Sequence, residues 1–204
     1  MNEADATGEY RVLPGPEHTG GAGWRLLDRE RYETVTVAPE GHDAPVADLR
    51  AGYLVEASLD LQGIEPRVTR LSLSRPTLYA FADGIDPVFE AAEEAWRDAR
   101  AAGGMEGRVT RNTDGAVNGV LYVFADGGVG NRFAEFRDGS RPVEPLVDRL
   151  VDRDGPAPRE LFVLRPAGDP FVVVTITRRK GSRFANTMRE TYDCPRPSEP
   201  LVTE

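Results

Sequence analysis

The sequence predicts an α+β protein. A small amino-terminal β-barrel or sandwich is followed by an α/β sandwich with a mainly antiparallel sheet, built from two strand-strand-helix units. Three observations predict this. Short apolar pieces separated by glycine and proline turns fill the first 80 residues. Beyond Pro76, helical stripes alternate with strand-like runs. The block from Gly119 to Phe136 also has an echo 51 positions later without a gap, in which Gly130-Asn131-Arg132-Phe133-Ala134 lines up with Gly181-Ser182-Arg183-Phe184-Ala185.

Taken in order, residues 1–8 read as a disordered tail, and residues 9–82 as the small β unit, for which an OB-like barrel is one option. Its strands are Glu9 to Leu13, Trp24 to Leu27, Glu33 to Ala38, Gly52 to Asp60 and Arg67 to Arg75. The fourth is the clearest, because Tyr53, Val55, Ala57 and Leu59 alternate with Leu54, Glu56, Ser58 and Asp60. Pro45 to Leu49 fits one helical turn, with proline at its first position.

Residues 86–194 form the second unit. Asp86 is placed to cap a helix with Pro87 at its first position, Phe89, Ala92, Trp96 and Ala99 on its apolar stripe, and Gly103-Gly104 at its end. Arg108 to Arg111 and Val120 to Ala125 can pair across Asp114-Gly115. Asn131 to Phe136 begins a helix, and Val143, Leu146, Val147, Leu150 and Val151 mark another. Leu161 to Arg165 and Phe171 to Thr177 make a hairpin. Phe184, Met188 and Tyr192 fall at four-residue spacing on a last helix, and residues 195–204 read as a tail. If the echo is structural, Val120 to Ala125 and Phe171 to Ile176 are equivalent inner strands, with the helices on one face of the sheet and Phe133 and Phe184 in equivalent buried places.

With 204 residues, 40% apolar and 29% charged, the chain has the composition of a soluble globular protein. Its start is acidic and lacks an apolar core, which predicts no signal peptide. Its apolar runs of about six residues are far short of the roughly 20 that a membrane helix needs. The expectation is a cytoplasmic protein without membrane contact. Cys194 is the sole cysteine, which rules out an internal disulfide.

Charge says more. There are 34 acidic against 25 basic residues, net −9, and Lys180 is the only lysine. Such a surface suits a salt-rich cytoplasm, where the Debye length shrinks to about 3 Å at 1 M salt and carboxylates barely repel one another. Counterion-driven binding of nucleic acid fades under those conditions, so nucleic acid is not an expected partner.

Thr77 to Gly84, Gly119 to Asp126, Phe133-Ala134-Glu135-Phe136-Arg137-Asp138-Gly139 and Tyr192-Asp193-Cys194-Pro195-Arg196-Pro197 together resemble an uncharacterised family of extremely halophilic archaea. The resemblance covers most of the chain. It implies a source and a salt regime, and it assigns no activity.

No catalytic motif stands out, so no catalytic residue, cofactor or metal is assigned. His18 and His42 lie in loop-like sequence, and the Glu93-Glu94 pair is a solvated helix face with Arg97 as partner to Glu93. The one site-like feature is the glycine-rich turn Asp126 to Gly130 with its echo. Glycines let backbone amides approach a ligand, and helix starts favour anions. The candidate anion-binding residues are Gly128, Gly130, Asn131, Arg132, Arg178, Arg179, Lys180, Ser182 and Arg183. The second turn also resembles, distantly, the loop with which acetyltransferases hold coenzyme A, although Arg183 stands where that loop wants a small residue. Three functions follow: a non-enzymatic protein holding an anionic small molecule at two helix starts; an enzyme acting on a phosphorylated or coenzyme A substrate; and a protein- or single-stranded-RNA-interaction module. The last would use Tyr10, Trp24, Tyr32, Tyr53 and Tyr79 as stacking platforms.

Overall fold

A computed structural model describes residues 5–18, 21–126 and 130–201. These form ten strands in two five-stranded sheets, with four α-helices. The first sheet holds β1 (Asp5–His18), β2 (Gly21–Asp28), β3 (Thr34–Val37), β4 (Leu54–Asp60) and β5 (Arg67–Arg75), in the order β3-β2-β1-β4-β5 and antiparallel throughout. It is an open sheet with β3 and β5 at its edges, and no closed barrel exists among the described residues. Asp5–Gly8, expected in a tail, pair with Ala57–Asp60 instead. The outer half of β4 needs a partner strand, and Ala6 packs on the same core as Leu59.

The second sheet holds β6 (Leu78–Ile85), β7 (Met105–Arg111), β8 (Val117–Ala125), β9 (Glu160–Pro166) and β10 (Phe171–Thr177), in the order β6-β9-β10-β8-β7. Only β6–β9 is parallel; the other three pairings are antiparallel. The helices are α1 (Glu90–Ala102), α2 (Arg132–Asp138), α3 (Glu144–Asp154) and α4 (Arg183–Thr191). They cover both faces of the sheet, contrary to the one-sided expectation. Val120, Val172, Val174 and Ile176 pack with Phe133 and Phe136 of α2 and Leu146, Val147 and Leu150 of α3. Leu121, Val123, Phe171 and Val173 pack with Ala92 and Ala95 of α1 and Met188 of α4. A strand that is buried at every position, such as β10, must be covered on both sides. Leu13 and Leu27 of the first sheet join the α2–α3 core, so α2 and α3 lie between the two sheets.

The 51-residue echo is not a structural repeat. β8 and β10 are neighbours, but the matched residues Val120 and Phe171 face opposite sides of the sheet. Phe133 lies in the α2–α3 core, whereas Phe184 packs with α1 and α4 on the other face. Two further expectations change. Helix α1 starts at Glu90, not behind an Asp86 cap, because the Phe89 amide is tied to the Tyr192 hydroxyl at 3.2 Å. The expected carboxyl tail docks up to residue 201: Arg196 reaches Glu160 at 2.7 Å, Ser198 accepts from Arg50 at 2.7 Å, and Leu201 packs on the first core.

Candidate functional site

Asp126 and Arg178, the residues that follow β8 and β10, lie at opposite ends of the second sheet. β8 and β10 run antiparallel, with Ala125 opposite Phe171 and Gly119 opposite Thr177. The seven paired residues between them span about 20 Å at about 3.4 Å each. Arg132 and Arg183 therefore cannot share one small anion, which corrects the convergent site drawn from the sequence.

The α2 end is filled by the protein's own groups. Asn131 caps α2, its Oδ1 accepting from the Ala134 amide at 3.0 Å and from Arg165 at 3.1 Å. The Arg132 amide donates to Asp126 Oδ1 at 2.9 Å, so a carboxylate already stands where an anion would sit. Arg165 forks onto Asp83 and lies 5.2 Å from the centre of the Phe133 ring. Hydrogen bonds from Arg165 hold the Asp83 carboxyl below its ordinary value. A Cβ on Gly130 would meet Glu135 Oε1 at 2.8 Å, which adds a third carboxylate. Gly128 lies outside the described residues.

At the opposite end, part of the basic cluster is already paired. Arg178 meets Asp154 at 3.1 Å, and Lys180 bonds Glu199. The Gly181 amide donates to the buried Glu160 at 2.8 Å, which also takes Arg189 and Arg196. Burial would raise the Glu160 carboxyl, but these donors prevail and lower it. Ser182 Oγ caps α4, accepting from the Ala185 amide at 3.2 Å. Arg179 and Arg183 are exposed.

Beside this helix start, a groove of about 460 Å³ runs under the β7–β8 hairpin. Arg111, Asn112, Asn118, Ser182, Arg183 and Thr187 line it with Phe184 as an apolar wall, and the Asp114 carboxylate lines it too. Gly119 lets Phe184 pack closely on β8: a Cβ there would lie 3.1 Å from the Phe184 ring and 2.6 Å from the Ile176 carbonyl. The groove thus brings together two guanidinium groups and the side-chain amides of Asn112 and Asn118, with Arg111 also donating to the Gly115 carbonyl at 2.8 Å. That donor set suits a phosphate or carboxylate.

Residues 2–197 match a family of unknown function, DUF6663. The chain belongs to this family. No curated protein and no solved structure matches it.

In this member of DUF6663 several other candidates serve the fold, while Trp24 is half-buried and Tyr32 is 41% exposed. His42 uses both ring nitrogens, one with the Ala38 carbonyl at 2.8 Å and one accepting from the Val68 amide at 3.1 Å. Burial raises the Cys194 thiol above its usual value, and its Sγ donates to the Tyr192 carbonyl. Tyr10, Tyr53 and Tyr79 are core residues and offer no stacking face. The sequence reading missed Arg111, Asn112 and Asn118, because only the hairpin brings them beside α4.

It also missed a buried ion cluster between the first sheet and α3. Arg11 takes both oxygens of Glu144 at 3.1 Å, Arg29 adds a contact at 2.7 Å, and the Tyr79 hydroxyl donates at 2.8 Å. Glu144 is fully buried, and Arg11 is 1% exposed. Glu144 precedes Pro145 at a helix start, a pattern that offers no hint of burial.

Proposed function

We propose that this protein binds an anionic small molecule in the groove at the start of α4, holding it without transforming it, and does so in strong salt. The observation that carries this reading is the groove itself, in which Arg111 and Arg183 face a volume of about 460 Å³ walled by Phe184. The acidic surface and lone lysine support the salt regime. Bidentate arginine contacts in a shaped groove resist salt better than diffuse charge does, so such a site fits that regime.

The test is calorimetric titration at high KCl with a nucleoside triphosphate, coenzyme A and a sugar phosphate. Arg183→Ala should weaken the best of these by about 10- to 100-fold, given about 1.5–3 kcal/mol for a charged hydrogen bond. Arg132→Ala, at the far end of the sheet, should leave binding unchanged. Equal loss in both variants, or no binding of any of the three by the native protein, would sink the reading.

A further inference from the structure

The edges of the two sheets are not alike. β3 is four residues long. On the outer side of β5, Val68 already exchanges hydrogen bonds with His42 and Asp43. On β6, the Tyr79 amide is taken by the Ala51 carbonyl. β7 runs for seven residues without proline, in register with β8 from Met105 to Thr110. The Ala125 amide donates to the Gly104 carbonyl, which fixes the alternation of the ladder. The backbone groups of Glu106, Arg108 and Thr110 therefore turn to β8, and those of Met105, Gly107 and Val109 turn outward. Met105 and Val109 are two of the five exposed large apolar side chains among the described residues. An open edge of this kind is a template for another strand.

We infer that β7 pairs with β7 of a second copy of this chain, antiparallel and centred on Gly107, to join the two second sheets into one. The charge pattern of the strand selects this partner and this register. With Gly107 opposite Gly107, Glu106 stands across from Arg108 of the second copy, and Arg108 across from its Glu106. On the other face Met105 meets Val109, and Val109 meets Met105. Moving the centre to Arg108 would set the two Arg108 side chains against each other. Like charges directly opposite one another disfavour that register. Gly107 also suits the centre, because the Tyr122 ring covers it: a Cβ there would lie 2.9 Å from that ring. Arg108 keeps contacts with Asp98 and Glu94 of α1, so the new charge pair sets register, while main-chain hydrogen bonds provide most of the affinity.

Sedimentation equilibrium of the full chain at micromolar concentration, in low and multimolar KCl, tests this. The native protein should give about twice its chain mass of 22.3 kDa. In low KCl, where charges are little screened, Glu106→Arg and Arg108→Glu should each fall to the single-chain mass, since each sets like charges across the pairing. Mixing the two variants should restore the double mass, because every pair in the mixed dimer is then of opposite sign. Circular dichroism of each variant checks that the fold is intact; Met105→Glu, which leaves the α1 contacts alone, replaces Arg108→Glu in the mixing-independent arm if that variant unfolds. A native chain that stays single in both salts overturns the inference, as do charge variants that remain double in low KCl or a folded mixture that stays single.

Discussion

Glu144 is held by two arginines and a tyrosine with no access to water. Burial alone would raise its carboxyl, yet Arg11 and Arg29 outweigh burial and keep it below the ordinary range. A depressed folded value means that the unfolded chain binds the proton more tightly. The contribution of Glu144 to stability is therefore complete above the unfolded value of about 4.3, and it is lost as pH falls through the lower folded value. Glu144→Gln leaves Arg11 buried beside an uncharged amide, and should cost about 3–5 kcal/mol at neutral pH. Urea melts at pH 7 and pH 3 check this: the gap between native and variant should narrow at the lower pH. An equal gap at both would show that the charge of Glu144 is not what matters.

At the scale of the element, the β8–β10 pair and the helix that follows it shape the groove. Gly119 lies where β8 passes under Phe184, the second residue of α4. Gly119→Ala would press a methyl group against the Ile176 carbonyl and the Phe184 ring. Overpacking of this kind costs about 1–3 kcal/mol. The thermal midpoint should fall, and anion binding should weaken as Phe184 shifts; a variant that melts and binds like the native chain would show that the contact gives way freely. Two of the three caps were legible in advance, since Asn131 and Ser182 each accept the amide three residues on, whereas Asp86 does not cap α1. The faces were not: two mostly apolar strands, each followed by a turn and a capped Arg-Phe-Ala helix start, look alike whichever side their helices take.

Across the whole molecule, net charge and folding are linked. With a charge of −9 and a single lysine, repulsion among surface carboxylates opposes the compact state in dilute buffer. The expected outcome is a higher melting temperature in multimolar KCl than in low salt. Potassium chloride is the salt to use, because salting-out anions stabilise most proteins whatever their charge. An unchanged or lower midpoint would count against adaptation to salt. The Arg11–Glu144 cluster should hold throughout, because buried pairs are screened far less than exposed ones.

Local pattern determined most of the elements. The alternation in Tyr53–Asp60, the turn at Asp114-Gly115 and the stripe from Val143 to Val151 each act over a few residues, and each appears in the structure as β4, the β7–β8 hairpin and α3. The Ser182 cap of α4 was likewise legible, because a capping residue after glycine marks a helix start whatever surrounds it. Only the tertiary structure decided where those elements meet. Antiparallel pairing sent the ends of β8 and β10 to opposite ends of one sheet, separating Arg132 from Arg183 and bringing Arg111 and Asn118 to the latter. It also drew Asp5–Gly8 and residues 195–201 out of the tails, because strand partners and buried charges such as Glu160 are satisfied by residues distant in sequence. Contacts of that kind depend on which surfaces pack together, and no spacing along the chain encodes them.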